Sequence, residues 1–101
     1  MDPLVERAEP LIKHVFDEVR DLVVEKNRSY GGSMLKPGLF GPKDPEERIW
    51  CRISDKLARL QAGNSYPGDN DLKDLMGYFA GILVLRAISN TDKEDTKNVG
   101  N

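Results

Sequence analysis

Residues 70–88, NDLKDLMGYFAGILVLRAI, decide the fold of this 101-residue chain. Apolar residues recur in this segment at spacings of three and four, the pattern of an α-helix, and they occupy most sides of that helix. Because a helix that is apolar on most sides must be covered by its neighbours, the segment predicts the central helix of an all-α fold. Gly77 and Gly81, four residues apart, leave a patch without side chains where another helix can approach closely.

Upstream of the central helix, a first helix is predicted near residues 10–30. Its apolar residues form one stripe at three-to-four spacing: Leu4, Ala8, Leu11, Ile12, Val15, Phe16, Val19, Leu22 and Val23. Pro10 interrupts the stripe, so either the helix kinks there or a short turn precedes a helix that begins at Pro10. Gly31 and Gly32, which adopt the left-handed conformation easily, are expected to end the helix near Tyr30.

Another helix is predicted near residues 45–62, where the start signals are clear. Asp44 is a suitable N-cap, Pro45 fits the first helical position, and Glu47 follows three residues after the cap. The predicted apolar side of this helix consists of Ile49, Ile53, Leu57 and Leu60.

Residues 31–43, GGSMLKPGLFGPK, contain four glycines and two prolines, a composition that predicts a loop. Four apolar side chains in this loop predict that it packs back onto the helices: Met34, Leu35, Leu39 and Phe40.

Together these segments predict an all-α fold of three principal helices with a Gly/Pro-rich loop between the first and the second. Residues 1–89 are expected to form one helical domain, and residues 90–101 a flexible polar tail. The central helix is apolar on more sides than two other helices of a short chain can cover, which predicts a homo-oligomeric helical bundle. Trp50, on the margin of its helix, is a candidate interface residue.

Charge is unevenly spread along the chain. In total, 15 basic and 17 acidic side chains give a net charge of −2, which argues against binding to long nucleic acids. Residues 1–25 carry three basic and seven acidic side chains, net −4, whereas residues 26–43 carry four basic and no acidic ones, net +4. A local basic segment in an acidic protein suits a small anionic ligand, although solvated loop lysines explain the charge equally well.

The rarest residue types exclude several kinds of site. Cys51 is the only cysteine and His14 the only histidine, which excludes intrachain disulfides, thiolate zinc sites and His-rich metal sites. The charged N-terminal residues do not resemble a signal peptide, and the apolar run from Leu75 to Ile88 is too short for a comfortable membrane span. A cytoplasmic location without a membrane partner is therefore expected.

Charged residues align along one side of the predicted helix near residues 45–62. These residues are Arg48, Arg52, Asp55 and Arg59, which follow one another at spacings of four, three and four. Lys56 lies beside them, and the central helix offers Asp71, Asp74 and Tyr78 at spacings of three and four. Arginine matches phosphate oxygens, neighbouring carboxylates share hard cations such as Mg²⁺, and tyrosine stacks on a base. For any single residue, ordinary surface charge is the simpler explanation.

Four motifs follow one another in the core: KNRSYGGS, MLKPGLFG, RISDKLARL and DLMGYFAGILVLR. In this order they resemble the phage and bacterial family called nucleotide modification associated domain 1, over the stretch from Lys26 to about Arg86. That family looks like a compact relative of the MazG-like all-α nucleoside triphosphate pyrophosphohydrolases. The resemblance implies a phage nucleotide-binding protein that acts in the host cell cytoplasm.

The MazG-like enzymes hold Mg²⁺ with an E-E-x-x-E helix and an E-x-x-D helix, and they cleave between the α and β phosphates. Carried over by the resemblance, the second motif falls on Asp71 and Asp74. The first falls on Asp55, Lys56 and Arg59, so that cations replace two of its three acids. Such a cluster would repel the metal and attract phosphate. An alternative motif with the right acidic spacing lies on the predicted first helix: Asp17, Glu18 and Asp21.

The basic segment of residues 26–43 and the resemblance together predict a groove between the first and second helices that holds a nucleotide. Its predicted ligand-binding residues are Lys26, Arg28, Tyr30, Arg52, Lys56, Arg59 and Tyr78. One hypothesis is a Mg²⁺-dependent pyrophosphohydrolase. A second is a non-catalytic phage protein that sequesters nucleotide second messengers of a host defence system, cyclic dinucleotides among them. A third is a helical interaction protein whose charges are solvated. The altered metal motif favours sequestration, whereas the family resemblance favours the enzyme.

Overall fold

The computed structural model describes residues 2–63 and 70–99, with side chains described for residues 2–63 and 71–92. The elements follow in the order α1 (Pro3–Ser29), one 3₁₀ turn (Ser33–Leu35), α2 (Pro45–Gln61) and α3 (Asn70–Val99). Three α-helices and no strand occur in the described residues, which confirms the all-α fold class predicted from the sequence.

α1 begins earlier than predicted and runs through Pro10 without a break. The Asp2 side chain accepts a hydrogen bond from the Leu4 N–H at 2.7 Å, and Pro3 occupies the first helical position. The predicted start of the first helix at Pro10 is therefore wrong. Pro10 removes only one backbone donor, and because it is exposed, water can reach the carbonyl left without its partner.

The predicted end of α1 and the predicted start of α2 agree with the structure, whereas the predicted end of α3 does not. Asp44 caps α2 by accepting from the Glu47 N–H at 3.1 Å, as expected. Gly31 and Gly32, with φ values of 61° and 71°, follow the end of α1. α3 was predicted to end near Ile88, but it continues to Val99. Except for Val99, the added residues are polar and need no burial, and none is the glycine or proline that would break a helix.

The hydrophobic core lies between α2 and α3. Its buried members are Ile49, Ile53, Leu75 and Ile82, with Met34, Leu60, Tyr78 and Leu85 packed against them. Leu57 stays 50% exposed, so the apolar side predicted for α2 is only partly buried.

Two glycines bring the other elements close to α3, as the sequence predicted. A Cβ at Gly77 would lie 3.0 Å from Val23 Cγ2 of α1, and one at Gly81 would lie 2.9 Å from Met34 Cε. α3 is therefore the central helix. Its outer face nevertheless remains open, with Leu72 56% and Leu83 67% exposed.

Only half of the apolar side chains in the loop between α1 and α2 pack back onto the helices. Met34 packs on the core, whereas Leu39 and Phe40 are 92% and 90% exposed, which contradicts the prediction for those two. Arg48 of α2 holds the start of the loop, because its Nη1 donates to Ser33 O at 3.4 Å and to Lys36 O at 3.1 Å.

Ion pairs tie the outer helices to α3. Lys73 Nζ lies 3.0 Å from Glu18 Oε2 of α1. The Arg86 guanidinium donates to both carboxylate oxygens of Glu46 of α2, at 3.0 and 3.1 Å. Among the described residues, no helix is both long enough and apolar enough to cross a membrane.

Candidate functional site

A pocket of about 330 Å³ opens where α1, the 3₁₀ turn, α2 and α3 meet. Four of the seven predicted ligand residues line it: Lys26, Tyr30, Arg52 and Tyr78. The structure therefore brings together side chains that are separated by as many as 52 positions between Lys26 and Tyr78 in the sequence.

Each of the three helices supplies to the pocket wall two side chains one helical turn apart. α1 contributes Lys26 and Tyr30 from its last turn and cap, α2 contributes Arg48 and Arg52, and α3 contributes Asp74 and Tyr78. Residues four apart lie on the same side of a helix, so each helix turns one edge toward the pocket. Gly77, also in the wall, permits the close approach of α1.

A chain of ion pairs runs from the pocket wall to the interior. Lys26 Nζ donates to Asp74 Oδ1 at 2.9 Å, and Lys56 Nζ contacts both Asp74 Oδ2 and Asp71 Oδ1 at 3.2 Å. Arg59 Nη1 lies 3.9 Å from Asp71 Oδ1. Lys56 and Arg59, predicted to bind phosphate, do not line the pocket and instead face these carboxylates, so the structure does not support their assignment as ligand residues.

The pairing fixes the charges of Asp74 and Lys56 at neutral pH. Burial acts to raise the pKa of Asp74, but hydrogen bonds from Lys26 and Lys56 outweigh it and hold that pKa below its ordinary value. The hydrogen bond to Asp74 raises the pKa of Lys56 against the opposing effect of burial. Both groups are therefore ionised, and Asp74 is the acidic residue among the charged side chains of the wall, whose other members are Lys26, Arg48, Arg52 and Lys73.

The basic side chains of the pocket wall differ in the partners with which they already form ion pairs or hydrogen bonds. Lys26 is paired with Asp74, Lys73 with Glu18, and Arg48 donates to loop carbonyls. Arg52 also lines the pocket but has no hydrogen bond or ion pair to the part of the chain that the structure describes. Its guanidinium is available to an anion that enters the pocket.

The carboxylates predicted to hold Mg²⁺ do not form a common site. Asp71 and Asp74 share Lys56 as a counter-ion, and Asp55 is exposed. Within residues 2–63 and 71–92, no three His, Cys, Asp or Glu side chains are grouped so that they could hold a metal. The donor set present here therefore does not fit Mg²⁺, which needs several hard oxygens around it.

The alternative acidic motif on α1 is also occupied by cations. Arg20 pairs with both Asp17 and Asp21, at 3.2 and 3.1 Å. Glu18 pairs with His14 at 2.8 Å and with Lys73. These three carboxylates serve as partners of neighbouring cations on or beside α1.

Arg28, like Lys56 and Arg59, lies outside the pocket wall, and two basic residues of the wall are not among the predicted ligand residues. Arg28 is exposed and does not line the pocket, although it lies two residues from Lys26. Arg48 and Lys73 do line it. The signal for Arg48 was its position one turn before Arg52, whereas nothing in the sequence indicated that Lys73 would turn toward α1.

Comparisons with known proteins assign neither a family nor an activity. No family model, curated protein or solved structure matches this chain. The resemblance of the four sequence motifs stays a prediction, and the geometry of the pocket is the basis for a functional proposal.

Proposed function

We propose that this chain binds a nucleotide in the pocket between its three helices and does not turn it over. Arg52 holds a phosphate, and Tyr30 or Tyr78 packs against the base. This is the second hypothesis drawn from the sequence, in which a phage-encoded protein sequesters a nucleotide second messenger of a host defence system.

The observation that carries the proposal is the convergence of an available arginine and two tyrosines on one pocket. A guanidinium offers several donors in a plane and matches phosphate oxygens. A tyrosine ring stacks on any base. The pocket volume of about 330 Å³ lies at the lower end of the range for small-molecule sites, which suits part or all of a nucleotide.

The absence of turnover is supported by the state of the acidic residues. Cleavage of a nucleoside triphosphate needs electrostatic stabilisation of the phosphates, for which the MazG-like enzymes use Mg²⁺. Asp71 and Asp74 are both engaged by Lys56, and Asp55 is not grouped with them. The pocket wall can hold phosphate by its cations without a metal.

The test is nucleotide binding by calorimetry and thermal shift with and without Mg²⁺, using triphosphates, monophosphates and cyclic dinucleotides. Arg52→Ala should weaken binding by about 1.5–3 kcal/mol, the scale of a hydrogen bond to a charged group. The fold should persist because Arg52 is exposed. Arg28→Ala is the matched control, since it removes an exposed arginine near the pocket but outside its wall.

The results separate the functional hypotheses clearly. Metal-independent binding that is lost in Arg52→Ala, kept in Arg28→Ala and free of product by chromatography supports the proposal. Mg²⁺-dependent product formation would establish the enzyme instead. If no nucleotide in the panel binds the natural chain, or if both variants bind as it does, the pocket is not a nucleotide site.

A further inference from the structure

An apolar stripe on α1 is uncovered over the first part of the helix. The N-terminal arm, defined as residues 2–18, exposes between 41% and 68% of six large apolar side chains. They are Leu4, Val5, Leu11, Ile12, Val15 and Phe16. The same stripe continues into Val19, which is buried, and Val23, which meets Gly77 of α3. The body of the protein therefore covers only one end of the stripe.

A second uncovered apolar surface lies on the basic loop, defined as residues 36–43. Its tip presents Leu39 and Phe40, which are 92% and 90% exposed. The loop is held in shape, because the Gly38 N–H donates to Lys43 O at 3.3 Å and Arg48 donates to Lys36 O. Two large apolar side chains are thus held in solvent on an ordered turn.

The two surfaces carry opposite charges. The N-terminal arm contains five acidic and two basic residues, net −3, whereas the basic loop contains two lysines and no acid, net +2. Three of the arm carboxylates already pair with cations of the chain: Glu9 with Lys13, Asp17 with Arg20 and Glu18 with Lys73. Asp2 and Glu6 have no ion pair to the described residues and remain for a partner. Apolar surfaces with complementary charge suit one another as binding partners. The arm forms the N-terminal part of α1, a helix of 27 residues that is about 40 Å long, whereas the loop follows the C-terminal end of that helix. Within one chain neither surface covers the other, because both are exposed.

The surface of the chain is large enough for such an association. It exposes 8058 Å², whereas a compact monomer of 11.3 kDa exposes roughly 5,700 Å². The excess is greater than the roughly 800 Å² that each partner buries in a stable complex of standard size.

We propose that the N-terminal arm binds the basic loop of a second copy of this chain. Leu39 and Phe40 pack on the apolar stripe, and Lys36 and Lys43 lie beside Asp2 and Glu6 of the arm. Two copies exchange this contact in both directions, which closes a dimer. Packing of arm against arm would bring two acidic surfaces together. The proposal does not depend on what the pocket binds.

The test is the oligomeric state, measured by sedimentation equilibrium. Phe16→Ser alters the arm and Phe40→Ser alters the loop, and each should raise the dimer dissociation constant at least about tenfold through lost apolar burial. Leu83→Ser is the control, because Leu83 is 67% exposed on the outer face of α3. Circular dichroism should show an unchanged fold in all three, since none of these side chains is buried.

Mixing the two variants tests which surfaces meet. A dimer of Phe16→Ser with Phe40→Ser keeps one intact arm and one intact loop that face each other, so the mixture should associate more tightly than either variant alone. A mixture that is no tighter overturns the pairing of arm with loop. Dissociation by Phe16→Ser but not Phe40→Ser would point to arm against arm, and dissociation by Leu83→Ser to α3. A natural chain that is monomeric at high micromolar concentration would refute the proposal outright.

Discussion

Replacing Asp74 by asparagine should destabilise the fold at neutral pH. Asp74 is only 18% exposed and accepts from Lys26 at 2.9 Å while contacting Lys56 at 3.2 Å. A hydrogen bond between charged groups contributes about 1.5–3 kcal/mol, but Lys26 is 47% exposed and its share is reduced by solvent screening. Lys56 keeps Asp71 as a partner in the variant. We therefore expect the free energy of unfolding to fall by about 1–2 kcal/mol.

The pH dependence of this loss follows from the pKa of Asp74. That pKa is lowered in the folded protein, so the carboxylate contributes stability above its unfolded pKa of about 3.9 and loses it as pH falls through the folded pKa. Urea denaturation should show the full difference between natural chain and variant at pH 7, and a shrinking difference below about pH 4. Asp55→Asn, at an exposed position, is the control and should change little. Equal stability at pH 7, or a difference that does not shrink at all as the pH falls below about 4, would refute the reasoning.

The same variant also separates the two nucleotide hypotheses. In a sequestering protein, Asp74→Asn removes a negative charge from the pocket wall and releases Lys26, so nucleotide affinity should rise or stay equal. In a Mg²⁺-dependent enzyme, the same change removes a metal ligand and should lower turnover by orders of magnitude. Calorimetry and chromatography on one preparation measure both quantities.

Three further stability predictions concern packing, each measured by urea denaturation. Ile49→Ala, at a position only 1% exposed, should cost about 2–5 kcal/mol, whereas Leu57→Ala should cost much less because that side chain is half exposed. Gly77→Ala should destabilise, since its Cβ would press on the stiff Val23, but Gly81→Ala should be tolerated because only the flexible end of Met34 must move. Gly38→Ala should cost about 1–3 kcal/mol, since its Cβ would lie 2.9 Å from a backbone oxygen of Pro42 that cannot easily yield.

The helices were predictable because their signals are local. Three-to-four apolar spacing predicts their existence, and the pair Asp44–Pro45 marks the start of α2. The same signal, Asp2–Pro3, marks the start of α1, whereas the prediction of a start at Pro10 rested on the ability of proline to interrupt a helix. The end of α3 could not be found from apolar spacing, since the residues after Ile88 are polar up to Val99.

The pocket was predictable only in part, because residue types were visible but partners were not. Lys26, Tyr30, Arg52 and Tyr78 do line one pocket. Sequence could not show that Asp74 would neutralise Lys26, since the two lie 48 residues apart. Carboxylates at the spacing of a metal site look the same in the sequence whether they bind a metal or pair with a cation of the protein. For Leu39 and Phe40, apolar character predicted burial, but among the described residues no side chain covers the tip of the loop.

Arg48 links two properties that natural selection would otherwise adjust separately. One guanidinium both lines the pocket and holds the loop through Ser33 O and Lys36 O. A substitution of this arginine would alter the pocket and loosen the loop at the same time. The two properties are therefore expected to change together during evolution. Arg52, which holds no other described group, is the position at which ligand preference can diverge while the loop stays in place.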